Sequence, residues 1–455
     1  MPTKPPVAPI PDAFSLPVHT EIPLRNGIKL IAVEDSTQPL LTMSIVSQSG
    51  AAEEERWGET NFMATLMNKG IASPKRTLDA QALAEEIDFT GGSLSVSCVF
   101  DSLSAHLGIL SDFTATGLDL LADVVQYPSF PPEEIERTRQ QTLVEIEQAN
   151  NDAAYLSSIA FTQGMFRGES YGHPVVGTLE TVAALQQADC QCAYSRSIQP
   201  NNLFIAAAGN FNVEELAKGL EERFAYNEPN NNEIKPQTHT AQESITTAPA
   251  VVLIEKPDAS QTSLRVGFRT ANRTDDDFIP MQFLNTIFGG SFISRLNHNL
   301  REEKGYTYGV HSSIDARKHS SVLTVSSHVG SEVVESAVSE ILREIERLRI
   351  EPVTDDELET TRKYMIGSFA LRTETPTQVV SLLSTLELYG LPKDYHSRYI
   401  AELAALTKDR LFEVQQRRFA TNGLVIAASG NVEYLQQKLR NFGAVSVVNA
   451  SGAML

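Results

Sequence analysis

Two residues seven positions apart could hold a developing negative charge between them. They are Arg301 and Tyr308, in the stretch FGGSFISRLNHNLREEKGYTYGV that runs from Phe288 to Val310. A guanidinium presents a planar fork of donors and a phenol adds a single O–H. Brought together they suit a carbonyl oxygen or an oxyanion. The same spacing also fits a plainer arrangement, with Arg301 on the last carbonyls of a helix and Tyr308 in the core.

The local pattern says how the pair would be positioned. Gly289 and Gly290 permit close approach of backbone to another backbone or a ligand. Ile293, Leu296 and Leu300 recur at helical spacing, which predicts a short amphipathic helix over Ser294–Glu303. Gly305 stands where a left-handed residue would end it. Tyr306–Val310 is rich in strand-favouring types, and a strand is expected there. The corner would then be helix, turn and strand.

Elsewhere the chain alternates between strand and helix patterns. Strands are expected over Glu21–Val33, Leu41–Gln48, Ser93–Val99, Ser102–Gly108 and Asn202–Gly209. Helices are expected over Gly58–Met67, Asp79–Phe89, Thr114–Val125, a long segment opening at Pro131, and Val213–Phe224. The second half then echoes the first at an offset of about 221 residues. Phe204–Asn210 (FIAAAGN) matches Val425–Asn431 (VIAASGN), and Asn61–Met67 matches Gln282–Phe288. Glu134–Arg139 matches Glu357–Arg362 at an offset of 223. Three registers in agreement imply a duplicated α+β unit, each a mostly antiparallel sheet covered by helices. The polar, Pro-containing run YNEPNNNEIKPQTHTAQESITTAP marks the join. The division is a Pro-rich tail over 1–20, a first unit over 21–226, a linker over 227–249 and a second unit over 250–455.

Composition narrows the function classes. With 57 acidic against 37 basic residues the formal charge is −20, and no Lys/Arg block interrupts it. Nucleic acid and anionic membrane are disfavoured as partners, and a neutral or basic peptide fits better. Cys98, Cys190 and Cys192 are too few for a disulfide framework, and Cys190-x-Cys192 lacks a second ligand pair for zinc. No apolar run is long enough to span a bilayer. The first residues, MPTKPPVAPIPDAF, lack the apolar core of a signal peptide. A cytoplasmic location is expected from the sequence as written, or a periplasmic one if a leader has been removed.

Taken together, SGAAEEERWGETNFMATLMNKG (Ser49–Gly70), FRGESYGHPVVGT (Phe166–Thr178), LREEKGYTYGV and the two-fold repeat resemble the M16 metallopeptidase family. The resemblance runs from about Glu21 to Leu439. In catalytic members the first-half helix carries His-x-x-Glu-His, two zinc ligands on one face and the base that activates water. Here the matching positions are Asn61, Ala64 and Thr65, and the nine His residues supply no replacement pair. Glu145 matches the third ligand, with Glu147 as a rival, and an acid on such a helix is most often simply solvated. His173 is expected to be structural, and Glu53-Glu54-Glu55 a solvated turn.

Some members of the family work as heterodimers in which one subunit has lost the zinc motif. The resemblance therefore implies a chain with no cofactor of its own, inactive alone, paired with a homologous zinc-bearing subunit. Its Arg301 and Tyr308, with the peptide-binding segment Gly289, Gly290, Ser291 and Phe292, would serve the partner's site. The other expectation is an inert structural protein like the core subunits of respiratory complex III.

Overall fold

The computed structural model describes residues 18–224, 248–419 and 422–455. Of the expected tail over 1–20, residues 1–17 lie outside the described residues, as do residues 227–247 of the expected linker over 227–249. The first half forms strands β1 (Thr20–Pro23), β2 (Lys29–Glu34), β3 (Leu40–Ser47), β4 (Gly70–Ala72), β5 (Thr77–Asp79), β6 (Ser93–Cys98), β7 (Leu103–Leu110) and β8 (Leu203–Gly209). The second forms β9 (Ala250–Glu255), β10 (Thr262–Thr270), β11 (Val310–Ala316), β12 (Ser321–Val329), β13 (Val425–Gly430) and β14 (Ala444–Val448).

Twelve of them assemble into two six-stranded sheets, ordered β1-β2-β8-β3-β7-β6 and β14-β9-β13-β10-β12-β11, and β4 pairs with β5 in a separate two-stranded sheet. Five strands occupy equivalent places with equivalent directions. The parallel pairs β2/β8 and β9/β13 correspond, and the rest of that shared order is antiparallel. The sixth strand differs. β1 arrives from the N-terminal side and runs antiparallel to β2, whereas β14 comes from the C-terminal end and runs parallel to β9. The expected mixed α/β fold with two related lobes is what is found.

Each sheet buries one face in its own lobe. One core gathers Leu30, Met43, Ile45, Phe62, Leu107 and Ile205, and the other Leu253, Val266, Phe283, Phe288, Leu323 and Ile426. The opposite faces are covered in exchange. The Ala153–Phe166 helix of the first half lies on the second sheet, placing Leu156, Ala160 and Phe161 against Val252, Val425 and Ala427. The Pro376–Leu388 helix of the second half lies on the first sheet, with Val379, Val380 and Leu383 against Ile31, Val33, Ala206 and Ala208. Gly164 allows the first of these approaches, because a Cβ there would meet Val425 Cγ1 at 2.5 Å.

A polar clamp fixes the same interface. The β11–β12 turn sets the Arg317 guanidinium 4.2 Å from the Phe100 ring centre and 4.9 Å from that of Tyr171. Lys318 N donates to Asp101 Oδ2 at 2.8 Å, and the Tyr171 hydroxyl donates to Asp101 Oδ1 at 2.6 Å. Each lobe thus completes the other.

Candidate functional site

The first-half helix forms at Glu59–Leu66, after Gly58 at φ 91°. Its exposed amides are capped from the preceding turn. Glu54 accepts from Gly58 N at 2.7 Å and from Thr60 N at 3.3 Å, and Glu59 accepts from Glu55 N and from the Arg196 guanidinium. The acidic run is therefore not a solvated turn. Glu55 is exposed, but the Glu54 side chain is wholly buried, with His173 Nδ1 3.3 Å away and the Trp57 ring stacked on that imidazole. His173 is buried and packs between Trp57 and Phe100, the structural role expected of it.

Burial pushes the Glu54 carboxyl up to about 8, against the hydrogen bonds from Gly58 and Thr60 that favour its charged form. The folded chain then holds a proton that the unfolded chain, titrating near 4.5, has already released. Stability contributed by this group falls as pH rises from about 4.5 through about 8. Relative to Glu54→Gln, which keeps an acceptor but cannot ionise, the wild type should lose thermal stability progressively across that window. Parallel melting curves at each pH check this, and a constant difference between the two chains contradicts it.

This helix carries nothing that suits zinc. Ala64 is 1% exposed and belongs to the core, Asn61 is half-buried, and the Thr65 hydroxyl donates back to Asn61 O at 3.0 Å. Glu145 and Glu147 are exposed on the Pro132–Ala149 helix. Among the described residues no group of three or more His, Cys, Asp or Glu side chains is placed to hold a metal ion. Elemental analysis of the purified chain should find far less than one zinc per chain. One tightly held zinc, lost on Glu145→Ala, would contradict this reading of the helix.

The second-half corner is built differently from its sequence pattern. The Phe278–Asn285 helix widens into a π-turn over Thr286–Gly290, and the next helical segment is also π-wound over Asn297–Glu303. Such wide turns are rare and frequent at functional sites. Gly289 is enforced by packing, since a Cβ there would meet Ser312 Oγ at 2.6 Å and Leu296 Cδ1 at 2.8 Å. Gly305 ends the segment at φ 64°, with Tyr306 N donating to Leu300 O at 2.9 Å, as its C-cap position predicts.

Tyr306–Gly309 is not a strand, and β11 begins only at Val310. The Thr307 hydroxyl donates to Gly309 O and accepts from Gly309 N, and the Ser327 hydroxyl donates to it at 3.0 Å. A side chain has taken the backbone partners that a ladder would need. Tyr306 turns toward the core and Tyr308 turns out, 93% exposed. Asn297, which sequence reasoning passed over, ties the corner together. Its amide donates to Val310 O at 2.9 Å and Ser291 O at 3.2 Å, and its carbonyl accepts from Val310 N.

The outcome is a cleft of about 510 Å³. Gly290, Ser291, Phe292, Arg301 and Tyr308 all line it, whereas Gly289 lies buried behind. Arg301 stacks over the Phe292 ring at 4.3 Å and has no carboxylate within ion-pair distance among the described residues. Neither member of the pair is spent on the core. The arrangement offers a guanidinium fork, a phenol hydroxyl and an exposed aromatic face to whatever enters.

Comparison with known proteins agrees with this architecture. A family model described as "Insulinase (Peptidase family M16)" matches residues 29–179, and one described as "Peptidase M16 inactive domain" matches residues 184–365. The chain belongs to peptidase family M16. An uncharacterized zinc protease of Bacillus subtilis is 23% identical to this M16 chain over 415 residues, covering 90% of it and 98% of the relative. Among solved structures, a protease from Helicobacter pylori superposes with a TM-score of 0.84 at 17% identity, over 91% of this chain and 100% of that one. A chain of complex III2 from Candida albicans does so with a TM-score of 0.74 at 15% identity, over 93% and 95%. At these identities the solved structures show a shared M16 fold.

Proposed function

We propose that this M16 chain, built of units 21–226 and 250–455, is the zinc-less subunit of a two-chain peptide hydrolase. Its partner would be a homologous chain carrying His-x-x-Glu-His and the zinc. Arg301, Tyr308 and the segment Gly290–Phe292 would act in trans at the partner's site, holding the substrate carbonyl or the oxyanion formed from it. One observation carries the reading. Tyr308 stands 93% exposed in a cleft with Arg301, while the helix that should carry the zinc machinery has Asn61, Ala64 and Thr65. An exposed phenol in one cleft with an arginine that has no carboxylate within ion-pair distance among the described residues is poorly explained by packing.

The sheet edge offers a place for a peptide only farther along. β11 is the outermost strand of its sheet and starts at the cleft, but Asn297 already holds Val310 N and O and Asn285 holds Ser312 O, so an added strand would have to pair beyond Ser312. The likeness to a complex III2 chain favours a second reading, an inert structural subunit. Affinity purification of the full chain from its own cells separates them. The first reading expects a homologous chain with His-x-x-Glu-His in near-equal amount. Recovery within a large assembly without such a chain favours the second.

A further inference from the structure

The cleft beside Arg301 and Tyr308 has a local charge opposite to that of the chain. Two arginines, Arg265 and Arg301, and two histidines, His311 and His328, line it, and no Asp or Glu does. This is a positive pocket in a molecule of formal charge −20. Arg265 projects from the middle strand β10, is half-buried, and has no carboxylate within ion-pair distance among the described residues. Its Nε donates to Ser157 Oγ at 3.3 Å, Nη1 to Ser326 Oγ at 3.1 Å and Nη2 to Ala154 O at 3.4 Å. A guanidinium has five N–H donors, so two remain without a partner among the described residues. Burial pulls the Arg265 pKa below its usual value, the mark of a cation short of counter-charge.

The other lobe shows that this charge is not demanded by the fold. Arg265 stands in register with Ala427 on one side and Ser326 on the other. At the equivalent place in the first sheet Ser44 stands between Ala206 and His106. The matching cleft of about 450 Å³, lined by Ser44, Ser104 and His106, has no Arg, Lys, Asp or Glu in its wall. A serine occupies that position in one lobe, so an arginine in the other calls for its own reason. A partly desolvated cation without a counter-charge is costly, and a carboxylate delivered by a ligand lowers the cost.

We infer that this cleft selects peptides presenting a carboxylate to Arg265, from an acidic side chain or from the C-terminus. The inference takes from the reading above only that a peptide enters this cleft. The exposed rings of Phe292 and Tyr308 at its wall, 66% and 93% exposed, would cover the neighbouring apolar part of such a peptide. The acidic character of the whole chain repels an acidic peptide at a distance, so the preference has to arise from contacts inside the cleft itself.

The test is a set of four dye-labelled peptides differing at two points, titrated against the full chain by fluorescence anisotropy. One has an internal Asp and an amidated end, one an internal Asn and a free carboxylate end. The third has Asn and an amide, and the fourth has Lys and an amide. At least one carboxylate peptide should bind about tenfold or more tightly than the neutral amide, with the lysine peptide weakest. Which of the two does so identifies the source. Arg265→Met should erase that preference, and Arg265→Lys should keep part of it because the charge remains. Neutral and carboxylate peptides within about twofold of each other, a preference that survives Arg265→Met, or binding of none of the four overturns the inference. The wild-type comparison decides even where a variant fails to fold. Because binding is read on this chain alone, its failure leaves catalysis with a partner untouched, and the converse also holds.

Discussion

Tyr308→Phe in the two-subunit enzyme is expected to lower kcat by about 10²–10³ while leaving the complex intact. The hydroxyl is the only group removed. The ring is 93% exposed and absent from both lobe cores, so its loss of one oxygen disturbs no packing. The turn is held by Thr307, Ser327 and Asn297 rather than by Tyr308, so the loop should keep its shape. A donor used only once the oxyanion forms shows itself as a fall in kcat with KM little changed. Tyr306→Phe supplies the control: Tyr306 packs against the second core, and its hydroxyl should matter little to rate. An unchanged kcat for Tyr308→Phe in a stable complex contradicts the assignment.

Arg301→Ala should cost at least as much in kcat/KM, about 10²–10³, since it strips a charge as well as its donors. Its structural role is small by comparison. The stack on Phe292 is worth about 0.5–1 kcal/mol at a site open to solvent, and the end of the helical segment is held by Gly305 and the Tyr306 N to Leu300 O bond. Arg301→Lys should recover only part of the loss, because an ammonium lacks the planar fork. Steady-state kinetics on the three complexes, each verified by size-exclusion chromatography, decide the matter. Rates within about threefold of wild type would assign Arg301 to the helix end and nothing more.

Much of this was legible in the sequence because strands and duplications leave period-two and register signals. The paired strand ends at Phe204–Asn210 and Val425–Asn431 became β8 and β13, at equivalent places in two sheets. Asp79 caps its helix through Ala82 N, as an Asp before an apolar period should. What the pattern could not carry was which sheet a helix covers. The apolar face of Ala153–Phe166 fits either lobe, and only the tertiary fold sends it to the other half's sheet. Tyr306–Gly309 misled for a different reason. Its residue types favour strands, but the Thr307 hydroxyl takes the backbone bonds locally and turns Tyr308 outward. The acidic run misled because an isolated carboxylate triplet reads as solvated, whereas Glu54 caps a helix with a buried side chain. Arg265 was hidden by an average: a net charge says nothing of the sign inside one cleft.

The most direct test of catalysis in trans is the rate of peptide cleavage by this chain, by its His-x-x-Glu-His homologue, and by the two mixed in equal amounts. The account predicts that this chain alone is inactive, that the homologue alone is slow, and that the mixture exceeds their sum by at least about tenfold, within the about 10²–10³ that each of two donors can supply. A zinc-bearing homologue that is as fast alone as in a stable complex with this chain would contradict it.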